Sequence, residues 1–225
     1  VSKYVIAYSQ DWFNNHPKSD QFKNLDIVEI TRKDDLNLEN LKKINPKYIF
    51  FPHWNWKVDS EIFEAFECVV FHTAPLPYGR GGSPIQNLII RGLKTSPVCA
   101  LKMTDVFDGG PIYDKKEVSL DGTINEIFSR IAKCVEELIL NICNLNPVPI
   151  PQEGEVVSFQ RLSYADNQLV EECSLRELYD RIRMVDGEGY KRAYISFGDY
   201  RIEFSDARLV NDELLAKIRM FRNGD

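Results

Sequence analysis

Short runs of β-branched and aromatic residues alternate with polar, helix-like segments through the first half of the chain, and this alternation most limits the folds open to it. The runs Tyr4 to Tyr8, Asp26 to Ile30, Tyr48 to Phe51, Cys68 to Phe71 and Val98 to Met103 have strand length and strand composition. The polar segment Asp34 to Ile44 reads as a helix between the second and third of them. This order predicts an α/β fold, an open sheet covered by helices.

Helix signals punctuate the rest. Ser83-Pro84 places a capping residue before a proline at the first helical position, and Gly92 supplies the stop, which predicts a short helix from Pro84 to Arg91. Thr123 and Glu126 form a capping box, after which Ile124, Ile127, Phe128, Ile131, Val135, Leu138, Ile139 and Ile142 recur at helical spacing. Pro147, Pro149 and Pro151 then break the pattern and read as a linker. Beyond it, Ser174 and Glu177 predict a capped helix through Arg183, and AYISF and YRIEF flank Gly198-Asp199 as a hairpin. The expected division is residues 1–146 as the main domain and 147–225 as linker plus a small helix and β-hairpin module.

Composition narrows the function classes. At 225 residues, 44% hydrophobic and 28% charged, the chain is neither disordered nor membrane-like in content. The longest apolar runs are strand-sized, and the opening VSKYVIAYS lacks the pattern of a signal peptide, so a cytoplasmic protein without a membrane partner is expected. A net charge of −6 gives no general attraction to a polyanion and predicts no nucleic-acid partner. The five cysteines are scattered, without CxxC or histidine at metal spacing, and read as reduced and mostly buried, with no metal site.

Only three histidines are present, so the search for a base near neutral pH is short. His72 follows the apolar run Cys68 to Phe71, at the carboxyl end of a buried strand, where open α/β sheets place ligand chemistry. The loop TAPLPYGRGG comes next. The strand Val98 to Met103 ends in a segment closing on Asp108-Gly109-Gly110, which reads either as a plain turn or as a carboxylate that orients and charge-tunes His72.

Taken together, His72-Thr-Ala-Pro-Leu-Pro77, Arg80-Gly81-Gly82-Ser83-Pro84-Ile85-Gln86, Gly92, Thr95, Met103 and Asp108-Gly109-Gly110 resemble the signature of the formyltetrahydrofolate-dependent formyltransferases. The resemblance runs from about Ile49 to Ile142. It implies a Rossmann-like open sheet of the formyltransferase type, N10-formyltetrahydrofolate as co-substrate, no metal, and catalytic roles for His72 and Asp108. One position departs from the family, whose asparagine two residues before the histidine is here Val70. Asn55, in FFPHWNWKV, is the candidate replacement as donor to the oxyanion; the alternative is a turn residue between tryptophans that pack the core.

By the same resemblance Trp54, Trp56, Val58, Ile85, Leu88, Val106 and Phe107 are expected to line the folate slot, and Thr73, Tyr78, Arg80 and Gly81 to meet the acceptor. FFPHWNWKV is similar to a subgroup that formylates nucleotide-linked amino sugars, including pseudaminic-acid precursors, so a UDP- or dTDP-linked 4-amino-4,6-dideoxy sugar is the expected partner, with its pyrophosphate at Arg80. A homodimer is compatible with the chain. The alternatives are transfer to initiator methionyl-tRNA, to glycinamide ribonucleotide or to a carrier-bound amino acid, or a non-catalytic ligand-binding domain of the same fold.

Overall fold

The computed structural model of the chain describes residues 2–223. Contacts divide it into two compact units that interleave along the sequence. One takes Val1–Arg80, Pro97–Val118 and Phe128–Val157, the other Gly81–Ser96, Ser119–Ile127 and Ser158–Asp225. No helix among the described residues is long and apolar enough to cross a membrane.

The first unit is built on an open sheet. Strands β1 (Lys3–Tyr8), β2 (Asp26–Ile30), β3 (Tyr48–His53) and β4 (Cys68–Thr73) match the predicted runs closely; β5 (Tyr78–Gly81) is a short strand beyond the His72 loop. Strands β6 (Thr95–Lys102) and β7 (Ile112–Ser119) complete a six-stranded sheet of order β2-β1-β3-β4-β6-β7. β1 pairs in parallel with β2 and β3, and β3 with β4, while β6 runs antiparallel to β4. This is the parallel-dominated, Rossmann-like sheet expected. Strand order reverses between β1 and β3, and the crevice at their carboxyl ends is where such sheets take ligands.

Apolar pattern and packing agree. Val5, Ala7, Ile49, Phe51 and Cys68 share one core cluster with Leu41 and Ile62 from the helices α2 and α3 described next. The Val, Ile, Leu and Phe side chains among them, fully covered, each contribute on the order of 1.5–3 kcal/mol. After the single turn α1 (Asp20–Lys23), helix α2 spans Leu38–Ile44 and α3 spans Ser60–Ala65. α2 starts later than Asp34 because Asn37 accepts a hydrogen bond from Asn40 N at 2.9 Å and becomes the N-cap, leaving Lys33–Asp35 as a 3₁₀ turn. β7 escaped the sequence reading because it is an edge strand: only Tyr113 and Val118 are buried, and charged residues fill the positions between.

Helix α4 (Pro84–Ile90) belongs to the second unit, and the long helix α5 (Ile124–Leu145) passes from the second into the first. The Thr123–Glu126 box forms as expected. Ser83 does not cap α4 with its side chain; its hydroxyl accepts from Leu162 N at 3.1 Å. After the short strand β8 (Val157–Phe159), helix α6 (Leu175–Arg183) carries the predicted Ser174–Glu177 box. Its Arg183 is buried and held by Asp180 at 2.6 Å and by the carbonyls of Leu120 and Gly122 at 2.6 and 2.8 Å. Strands β9 (Tyr194–Phe197), β10 (Tyr200–Val210) and β11 (Glu213–Arg222) form an antiparallel sheet of order β11-β10-β9. The Gly198-Asp199 hairpin is present, and a second turn, Asn211-Asp212, joins β10 to β11 with both residues at positive φ, the two-residue geometry that fits twisted strands.

Candidate active site

His72 is the penultimate residue of β4, 8% exposed, opposite Cys99 in the register with β6. Its Nε2 lies 2.7 Å from the carbonyl oxygen of Gly79. A carbonyl only accepts, so Nε2 carries the hydrogen and Nδ1 is left as the nitrogen that meets other groups. Nδ1 faces the Asp108 carboxylate, 3.5 Å from Oδ2. The loop from β4 to β5 passes through a cis Leu76–Pro77 peptide bond.

The Asp108 turn is tightly determined. Asp108 has φ +50, a conformation that aspartate tolerates better than most side chains. Gly109 N donates to Val106 O at 3.0 Å, and a Cβ on Gly110 would overlap the carbonyl oxygen of Lys102, so glycine is required there. The turn therefore presents the carboxylate to His72 on a short, fixed backbone. With Nε2–H committed to Gly79, Nδ1 and Oδ2 lie side by side, an arrangement that can hold or pass a proton.

Asn55 sits two residues past β3 in an exposed loop, and its backbone N–H is tied to Ser9 Oγ at 3.1 Å. Ser9 Oγ also lies 3.3 Å from His53 Nδ1, so the loops after β1 and β3 are pinned together at the strand-order reversal. The structure does not join the Asn55 side chain to His72. It does bring β3 and β4 together as parallel neighbours, so both residues stand toward the carboxyl end of the sheet.

The expected slot residues fall into separate environments. Trp54 and Val58 pack on the core cluster of the first unit together with Val70 and Met103, so one tryptophan does pack the core. Its ring meets Trp56 edge-on at 4.8 Å, and its Nε1 is buried without a hydrogen-bond partner. Val106 and Phe107, beside Asp108, are 53% and 77% exposed, apolar surface that a flat heteroaromatic ring would cover. Ile85 and Leu88 belong to the second unit and are covered within α4, where helix packing uses their side chains. Of the residues expected at the acceptor, Thr73 is buried at the end of β4, Tyr78 and Arg80 are half-buried on β5, and Gly81 lies in the second unit.

Arg80 is engaged within the protein. Its Nε and one terminal nitrogen donate to Gln152 Oε1 at 3.1 and 2.8 Å. Gln152, which sequence reasoning missed, sits just after Pro151 in the stretch read as a linker. Cys99, opposite His72, is no nucleophile: burial pushes its thiol up to about 11, and Sγ donates to the Ala74 carbonyl at 3.4 Å.

Comparison with known proteins bears on this geometry. Residues 164–221 match the family model described as "Methionyl-tRNA formyltransferase, C-terminal domain". The chain is similar to a solved structure of methionyl-tRNA formyltransferase from Clostridium thermocellum, at 41% identity and a TM-score of 0.92, covering 99% of this chain and 100% of that one. It is 30% identical over 187 residues to methionyl-tRNA formyltransferase from Rickettsia massiliae, 80% of this chain and 61% of that protein. The chain thus spans about three fifths of the length of the curated relatives it matches. A 4-N formyltransferase from Francisella tularensis shares the fold at 17% identity and a TM-score of 0.65, covering 88% of this chain and 93% of that one.

These matches overturn the expected partners, a nucleotide-linked amino sugar and no nucleic acid. The relatives aligned along most of the chain are methionyl-tRNA formyltransferases. The physical reason for the error is that net charge is a sum over the chain. Residues 191–223, the C-terminal sheet, carry seven Lys or Arg against five Asp or Glu within a chain of net charge −6.

Proposed function

We propose that this chain, which belongs to the formyltransferase family of the methionyl-tRNA formyltransferases, moves the formyl group of N10-formyltetrahydrofolate to the α-amino group of methionyl-tRNA. The observation that carries the chemistry is the His72–Asp108 pair at the end of β4. Support for the acceptor comes from the 41% identity over the full length of the Clostridium thermocellum protein. The locally basic C-terminal sheet, by its charge, suits a phosphate backbone.

In this reading the neutral amine attacks the formyl carbon, its carbonyl oxygen becomes negative, and collapse breaks the bond to the folate nitrogen, which takes up a proton. Nδ1 of His72 and the Asp108 carboxylate accept the proton the amine loses, and the Gly79 carbonyl keeps the imidazole aimed. Val106, Phe107 and Trp56 offer the exposed apolar surface on which the pterin lies. Asn55, exposed toward the same end of the sheet, donates to the developing oxyanion.

An acceptor competition tests the reading. Given labelled N10-formyltetrahydrofolate and equal amounts of methionyl-tRNA and a nucleotide-linked 4-amino sugar, the chain should place the label on methionyl-tRNA. Label on the sugar alone would overturn the acceptor assignment. The role of Asn55 has its own check. Asn55→Ala should lower kcat by roughly 10²- to 10³-fold and leave the KM for the folate nearly unchanged. A change confined to the folate KM would make Asn55 a pocket residue and move the oxyanion donor to the backbone.

A further inference from the structure

The four hydrogen-bonding positions of the Gln152 amide are all filled, two by Arg80 and two by the backbone of the turn that carries Asp108. Oε1 accepts twice from the Arg80 guanidinium, at 3.1 and 2.8 Å. Nε2 donates to the backbone carbonyls of Asp108 and Gly110, both at 2.8 Å. The amide has only one orientation in this setting, because a guanidinium and two carbonyls cannot exchange roles as donors and acceptors. Bracketing Gly109 from both sides, Gln152 fixes the turn in which Asp108 holds its positive φ.

The links close into a circuit. His72 donates through Nε2 to Gly79, the next residue is Arg80, Arg80 holds Gln152, Gln152 holds the backbone of Asp108, and the Asp108 carboxylate faces His72 Nδ1. One dipeptide, Gly79-Arg80, thus anchors both members of the pair: the imidazole directly and the carboxylate through Gln152. We infer that Gln152 is a positioning residue that holds Asp108 against His72, and that Arg80 acts through Gln152 rather than as the contact for an acceptor's phosphate. The inference rests on reading His72 and Asp108 as the reacting pair.

The test separates the two ends of the amide. Gln152→Glu keeps oxygen toward Arg80 but turns an acceptor toward the Asp108 and Gly110 carbonyls; Gln152→Ala removes both ends. Both should lower kcat by roughly 10- to 100-fold, the scale of an ångström-sized displacement at a reacting group, with the folate KM changed less than about twofold. A spectroscopic readout needs no turnover. The ring ¹⁵N signals of His72, identified by their absence in His72→Gln, should move in both Gln152 variants in the direction they move in Asp108→Asn, while those of His16 and His53 stay in place. A purely structural role would lower the unfolding midpoint and leave both the His72 signals and kcat per folded molecule unaltered. His72 signals unmoved in Gln152→Glu, or in Gln152→Ala should the other fail to fold, with a clear shift in Asp108→Asn, would overturn the inference. If the unsubstituted chain transfers no formyl group at all, the functional reading fails and the ring-shift comparison still decides the role of Gln152.

Discussion

Replacing His72 by alanine is expected to slow formyl transfer by roughly 10²- to 10⁴-fold, the usual contribution of a positioned general acid or base. The loss should fall on kcat, because in the proposed reaction Nδ1 acts on the proton of the attacking amine and not on the bound folate. Some stability goes with it. His72 is buried, and its Nε2–H satisfies the Gly79 carbonyl; leaving that carbonyl without a donor costs about 1–3 kcal/mol. Position at a strand end alone predicts a silent effect on folding, and the buried hydrogen bond is why the structure says otherwise. His72→Gln separates the two effects, since an amide N–H restores a donor inside the pocket without an imidazole. Turnover in His72→Gln should stay as low as in His72→Ala while the unfolding midpoint recovers. Near-normal turnover in either variant would move the reaction centre elsewhere.

Asp108→Asn is the second large effect. Asparagine tolerates the positive φ that Asp108 adopts, and the backbone carbonyl that accepts from Gln152 is unaltered, so the turn survives the substitution. Only the charge and one acceptor are lost. A neutral amide facing Nδ1 no longer stabilises the imidazolium that forms as the proton moves, and kcat should fall by about 10²-fold or more. Circular dichroism and the unfolding midpoint should match those of the unsubstituted chain. A kcat within about threefold of normal would leave Asp108 as a turn residue with no part in the chemistry.

What the sequence disclosed and what it hid follow from the range of the interactions. β1, β3 and β4 could be read because each is a mainly buried apolar run, the edge strand β2 because Ile27, Val28 and Ile30 stand close together, and α5 because its buried positions repeat at helical spacing over 22 residues. β7 could not, for its exposed positions carry Lys115 and Glu117, which interrupt any apolar signal, and the same interruption by Lys217 and Arg219 left β11 marked only by the turn before it. At the candidate site, the positions of His72 and Asp108, which the fold brings together, were legible because strand ends and glycine turns mark themselves locally. Gln152 was not. Its partners lie 72, 44 and 42 residues away, and a lone glutamine after three prolines carries no local sign of the contact. The hydrogen bonds of Arg80 to Gln152 were hidden for the same reason: a glycine-flanked arginine looks available until its partner in the folded chain is known. The Asn211-Asp212 turn had a local signature and was readable, and it would have extended the C-terminal hairpin to three strands.

In the proposed reaction His72 and Asp108 act as one unit in moving a formyl group to methionyl-tRNA. Single-turnover formation of formyl-methionyl-tRNA, with the chain in excess over the aminoacylated tRNA, tests it most directly. Rapid product formation is expected from the unsubstituted chain, with a rate lower by roughly 10²-fold or more in His72→Gln and in Asp108→Asn, and a double variant no slower than the slower single one. Losses that multiply in the double variant, or no formyl-methionyl-tRNA from the unsubstituted chain, would contradict it.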